Sequence, residues 1–304
     1  MKIHFLQHHQ IDFTRWDNNV QHAENSLPYA FSWYLNAVSP AWNALVSDDY
    51  AFVFPLTWKK KFGLTYLHQP YFTQQLGLFS RQPLTTDISD AFLEALPKHI
   101  RFVEINLNVA NKPSPEKFNL TAKTNILLTL QEHYTTIYSG YTENVKRNIS
   151  KAEKHHLQIT GNIQLDDVIR LFKADKGREV TSMKHVHYTH LKLLAAALEK
   201  HHACLLSGVL KDERLVAGAL FVKINKRIIF LFSGNSEAGK KCGAMHFLID
   251  DAIKKNCREA LLFDFEGSTN PGLARFYKSF GSVESVYLHL KKNTIPYPFR
   301  FFKT

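Results

Sequence analysis

The chain has 304 residues and a mass of 35.0 kDa, 45% apolar and 21% charged, proportions that bury a full core and exclude a disordered chain. Lys and Arg number 38 against 27 Asp and Glu, a formal charge of +11 with a pI near 9.4, so the natural partners are anions, and charge alone does not choose among tRNA, nucleotide cofactors, phosphorylated precursors and an anionic membrane face. Three scattered cysteines, Cys204, Cys242 and Cys257, exclude a disulfide framework and a C-x-x-C site, and no apolar run reaches the roughly 18 residues needed to span a bilayer.

At roughly 150 residues per domain the length predicts two units. In the first, Lys2 to Gln7 reads as a strand, and helices follow at Asp12 to His22 and Phe31 to Val38. Trp42 to Ser47, Tyr50 to Trp58 and Leu64 to Gln69 are aromatic-rich and β-branched strands, with Asp48 and Asp49 as a turn between the first two. Ile88, Ala91, Phe92 and Ala95 have helical spacing within Asp87 to Leu96, and Phe102 to Leu107 and Asn125 to Leu130 read as strands. A boundary at about 140 gives units 1–140 and 141–304.

The second unit opens with a helix at Val145 to His156, whose outer face carries Lys146, Arg147, Lys151 and Lys154. Helices at Asp166 to Lys176 and Tyr188 to Lys200 come next, then strands at Cys204 to Leu210, Leu215 to Ile224 and Arg227 to Ser233, at hairpin spacing. A glycine-bearing loop, Gly234 to Gly243, runs into a helix ending near Asn256. The strand Leu261 to Glu266 precedes a helix that Asn270 caps, Pro271 begins and Gly281 ends. Val283 to Leu290 closes the unit as a strand. The histidines His185, His187 and His190 lack a metal-ligand spacing and read as surface or capping groups.

This order, helices, three antiparallel strands, a glycine loop at a helix N-terminus, then strand, helix and strand, resembles the GNAT acyltransferase fold. The segments Asn144 to Lys154, Phe263 to Ser268 and Pro271 to Gly281 are similar to those of the Fem family of peptidoglycan aminoacyltransferases and its FemAB-like relatives. The resemblance implies an α/β (α+β) protein of two tandem GNAT-like acyl-CoA N-acyltransferase units, with mixed, mostly antiparallel sheets flanked by helices and a degenerate first unit. It implies transfer of an aminoacyl or acyl group to an amine. The donor would be aminoacyl-tRNA or acyl-CoA, and the acceptor a peptidoglycan precursor, a small amine or a sugar amine. A non-catalytic binding module for anionic envelope precursors remains the alternative. No metal, no permanently bound cofactor and no DNA partner are expected. The expected setting is cytoplasmic, with peripheral contact with the inner membrane surface left open.

Candidate site residues follow. In a GNAT-like fold, Gly239, Lys240, Lys241, Gly243 and Ala244 would meet the donor's phosphates through free N–H groups, a helix dipole and two ammonium charges. Asp264 and Glu266 alternate onto one strand face, and a carboxylate there is suited to take the amine's proton, Glu266 before Asp264. By resemblance, Lys278 would neutralise charge between donor and acceptor. Lys146 and Arg147, Arg275, and in the first unit Trp33, Tyr34 and Gln74, are candidate substrate contacts; the aromatic pair serves either stacking or core packing. Ser268 and Asn270 are candidates to organise the loop after the strand, and Asn270 also serves as a cap.

Overall fold

The protein is described from a computed structural model covering residues 1–61, 63–175, 183–258, 262–267 and 270–295; Lys176, Leu261 and Ser268, named above, lie outside these residues. Two units divide the chain: Met1–Lys123 with the stretch from Val286, and Thr124–Ser285. The sequence places one boundary, near 140, whereas the fold has two, because each half exchanges its last strand.

The first unit begins with β1 (Ile3–Leu6), α1 (Phe13–His22), α2 (Ser32–Val38), β2 (Asn43–Ser47) and β3 (Phe52–Leu56). It continues with β4 (Trp58–Lys61), β5 (Leu64–His68), β6 (Phe79–Ser80), α3 (Thr86–Glu94) and β7 (Ile100–Leu107). Asp12 and Thr85 cap α1 and α3 by accepting the Arg15 and Ile88 amides. The single strand expected over Tyr50 to Trp58 is two: β3 joins the antiparallel order β1-β2-β3-β6, and β4 pairs with β5. Strands β5 and β7 run parallel. The core includes Leu45, Phe54, Leu67, Phe92 and Val103.

β8 (Leu120–Thr129) follows β7, and its Leu127 to Thr129 pair with the second unit. That unit adds α4 (Tyr134–Ser139), α5 (Glu143–Lys154), β9 (Gln158–Thr160), α6 (Leu165–Ala174) and α7 (His185–Lys200). Strands β10 (Cys204–Lys211), β11 (Arg214–Ile224) and β12 (Arg227–Asn235) come next, then α8 (Glu237–Cys242), α9 (Ala244–Asn256), β13 (Leu262–Asp264) and α10 (Pro271–Lys278). β14 (Val283–Asn293) runs out of this unit and pairs with β7 through Leu288 to Asn293. The expected closing strand therefore serves the first unit, and β8 takes the equivalent place beside β13.

Within the second unit the order is β8-β13-β12-β11-β10-β9, antiparallel except for β12 and β13. Val145, Ile149 and Ala152 of α5 and Leu248, Ile249 and Ile253 of α9 pack with Phe221, Phe263 and Phe265 into one core; each fully buried large side chain there contributes roughly 2 to 3 kcal/mol. The α5 seam read from sequence is this buried face. His187 accepts the Lys184 amide at the start of α7 (2.9 Å), which is a capping role.

Candidate active site

β12 and β13 pair in parallel only from Arg227 opposite Leu262 to Ile229 opposite Asp264, and then part. Two local features part them. Opposite β11, Phe230 pairs with Phe221 and Phe232 with Leu220, so Leu231 is an extra residue, a bulge that bends β12 just past its last pair with β13. On the other side, the Phe265 amide donates to the Ile126 carbonyl of β8 (3.0 Å), drawing the chain away from β12. Gly267 then turns with φ +53°, so near β8 that a Cβ would lie 2.3 Å from the Thr124 oxygen. Only glycine fits there.

The parted strands enclose a cleft of about 470 Å³ within the second unit, lined by β12 from Phe230 to Asn235, by Phe265 to Gly267, and by parts of α6, α8, α9 and α10. Phe172, Phe230, Phe232, Phe265, Phe276 and Tyr277 make its walls largely aromatic. Glu266 lines it, half-buried, with φ +58°, a left-handed conformation that costs a non-glycine residue about 1 to 3 kcal/mol and gathers at functional sites. Burial holds the Tyr277 hydroxyl well above the ordinary phenol range, and the Glu266 carboxylate pushes it the same way. His246, in the first turn of α9, packs edge-on against Phe276, and burial lowers its imidazole to about 4. It is neutral at physiological pH. Two buried atoms of this lining, His246 Nε2 and Asn235 Oδ1, have no hydrogen-bond partner among the described residues.

Of the residues expected to bind phosphate, Gly239, Lys240 and Gly243 line the cleft, each also held by the fold. Glu237 to Cys242 is a helix where a loop was expected, capped by Ser236, which accepts the Gly239 amide (3.1 Å). Gly239 lines the cleft and also packs onto β11, a Cβ there falling 2.6 Å from the Val216 oxygen. Gly243, φ +77°, joins α8 to α9 and rests on the Asn148 carbonyl of α5. Lys240 faces the cleft but pairs with Asp175 (2.6 Å) and Glu237 (3.1 Å). Lys241 is exposed and Ala244 fully buried, and neither lines the cleft.

Asp264 does not reach the cleft either. It is fully buried, ion-paired with Arg227, and its Oδ1 accepts the Glu266 amide (2.8 Å). The strand ends at Asp264, so the alternation that would put both carboxylates on one face stops there and Glu266 turns into the opening alone. Lys278 is an exposed residue of α10 paired with Glu284, and Arg275 is exposed on the same helix; neither lines the cleft. Lys146 pairs with Glu143 (3.0 Å) and Arg147 donates to Asn144 (2.8 Å), so both are engaged along α5.

The first-unit candidates are packing groups. Tyr34 is fully buried with its hydroxyl donating to the Phe72 carbonyl, and Trp33 stacks on Phe31 at 5.5 Å. Gln74 belongs to a segment that occupies this unit's own strand parting. Past the β5/β7 pair of His68 and Glu104, Gln69 Oε1 accepts the Asn106 amide (2.9 Å) and the Leu76 amide donates to the Asn106 carbonyl (2.8 Å). Asn106 Nδ2 in turn donates to the Gln74 carbonyl (2.8 Å). The backbone groups that the second unit leaves open are thus satisfied here by the chain itself.

Sequence reasoning missed Asn235, His246 and Tyr277 as cleft residues. Tyr277 was legible only as part of an apolar helix face. His246 would have been found by asking which polar residue opens the helix after the glycine segment.

Residues 139–279 match the acetyltransferase (GNAT) domain family, and no curated protein matches the chain. Among solved structures, FemX superposes with a TM-score of 0.70 over 95% of this chain and 97% of its own, at 12% identity. A tandem GNAT protein from the clavulanic acid biosynthesis pathway gives 0.56 over 97% and 99%, at 11% identity. A protein of unknown function from Bacteroides thetaiotaomicron gives 0.55 over 93% and 98%, at 10% identity. At such identities the likeness establishes the fold, which is the tandem GNAT-like architecture expected from the sequence, and it bears out the resemblance to Fem-like proteins at that level.

Proposed function

We propose that the protein is an N-acyltransferase that forms an amide on an amine, using the cleft between β12 and β13. The observation that carries this reading is the parting itself: an open slot with a carboxylate, a protonated hydroxyl and a bulged backbone on its walls. In the reaction, the neutral amine's nitrogen bonds to the donor's carbonyl carbon and Glu266 takes the proton that this nitrogen gives up. A backbone N–H at the Leu231 bulge, which has no partner residue on β11 and lines the cleft, would steady the oxyanion. The carbonyl–carrier bond then breaks, Tyr277 supplies the leaving atom's proton, and Glu266 returns one to Tyr277.

The charges favour an aminoacyl ester such as aminoacyl-tRNA as donor. Among the described lining residues, Asp175 and Glu266 against Lys240 leave one net negative charge, which suits the free ammonium of an aminoacyl group better than the diphosphate of acyl-CoA. Aromatic walls add cation–π attraction for the same ammonium. A cell-envelope precursor peptide is the acceptor that accords with the Fem-like fold. The CoA reading has one observation of its own, the N-terminus of the 13-residue α9, whose Gly243, Met245 and His246 line the slot. The open volume weighs against a purely binding role, for which filled walls would be expected.

Glu266→Gln is the test of the chemistry. Turnover with aminoacyl-tRNA and an amine acceptor should fall about 100-fold with the melting temperature unchanged; full turnover removes Glu266 from the mechanism.

A further inference from the structure

Arg227 opens β12 and Asp264 ends β13. Arg227 stands opposite Leu262 and Asp264 opposite Ile229, which makes the two side chains diagonal neighbours on one face of the pair. The Arg227 side chain is 18% exposed and that of Asp264 1%. One Asp264 oxygen takes the guanidinium and the other takes the Glu266 amide at 2.8 Å. A single buried carboxylate therefore joins the root of the splayed strands to the left-handed turn at Glu266.

We propose that Arg227 is a positioning residue of the cleft: by fixing the Asp264 carboxylate it holds the Glu266 amide, and with it the turn that presents the Glu266 side chain to the opening. The inference rests on the reading of Glu266 as the cleft's base. Without the guanidinium, Asp264 is a buried charge with no counterion, and it rotates toward water or takes up a proton. Either event weakens its hold on the amide, because an ionised carboxylate accepts more strongly than a neutral acid. Lysine supplies the charge as a point and retains most of the effect; glutamine does not.

The test needs no substrate. In the full chain labelled with 15N-glutamate, the Glu266 amide is assigned by the loss of its signal in Glu266→Gln, and its exchange with solvent is followed in Arg227→Gln and Arg227→Lys. The expected result is exchange about tenfold faster in Arg227→Gln, and within about threefold of the unaltered protein in Arg227→Lys, with 15N-isoleucine amides of β12 unchanged. Unaltered protection of Glu266 in Arg227→Gln overturns the proposal, and so does equal acceleration along all of β12, which marks a general loosening. If Arg227→Gln does not fold, the double substitution Arg227→Gln with Asp264→Asn leaves no buried charge, and the same outcomes decide. Failure of the base reading shows separately, as full turnover in Glu266→Gln, and does not alter the exchange result.

Discussion

The Lys240 ammonium stands 2.6 Å from the Asp175 carboxylate at the rim of the cleft. This pair, with Glu237 as a second partner, raises the Lys240 ammonium above its ordinary range, so the charge is present but already compensated. Asp175→Asn should release part of it. The expected outcome is acetyl-CoA or pyrophosphate binding about 3- to 10-fold tighter at low salt, with the gain fading as salt screens the charge. Titration calorimetry at two ionic strengths checks this.

Gly267 is required by both conformation and space. Gly267→Ala should destabilise the protein by roughly 2 to 5 kcal/mol, combining a left-handed penalty of about 1 to 2 with overpacking of about 1 to 3. Gly63 has φ +76° and nothing within 4 Å of an added Cβ, so Gly63→Ala carries only the conformational part. Denaturant unfolding of the two variants should differ by the packing contribution.

Asp250 of α9 is buried and accepts from the Tyr134 hydroxyl at 2.9 and 3.0 Å. Burial holds its carboxyl above the ordinary carboxylate range, although the Tyr134 bond opposes this. A carboxyl raised on folding stabilises the native state while protonated, fully so below the unfolded value of 3.8, and that contribution is lost as pH rises through the folded value. Relative to the unaltered protein, Asp250→Asn should therefore gain melting temperature as pH rises through the folded value and show least advantage near pH 3, which thermal scans across pH would detect.

One donor per chain is the expected stoichiometry. In the first unit the Asn106 amide and carbonyl are taken by Gln69 and Leu76, which removes the backbone groups a donor would use. Native mass spectrometry with a non-hydrolysable donor mimic should give a single added mass, and two would contradict this account of the first unit.

Much of this architecture was legible in the primary structure. The apolar seams of α5 and α9 and the Asn270 cap on α10 follow from periodicity and side-chain chemistry. Two features were not legible. The exchange of β8 and β14 depends on which partner strand is nearest after folding, and their alternation is the same in either unit. Of the candidate residues, Glu266, Gly239, Lys240 and Gly243 line the cleft, whereas Asp264 and Lys278 stand outside it, because a strand's face pattern holds only while the strand lasts and because Glu284, six residues beyond Lys278, takes up its charge. The short helix over Glu237 to Cys242 was hidden by a glycine whose purpose is close packing on Val216.

The most direct measurement is donor binding to the cleft. Ser233 lies on β12 within the opening, and Ser233→Trp fills it. Titration with a 3′-aminoacylamido-adenosine, an uncleavable stand-in for the end of aminoacyl-tRNA, should give one saturable site on the unaltered protein and at least about tenfold weaker binding to Ser233→Trp. Equal affinity for both proteins, or no binding by this mimic or by an acetyl-CoA mimic, would contradict the claim that the parted strands receive an acyl donor.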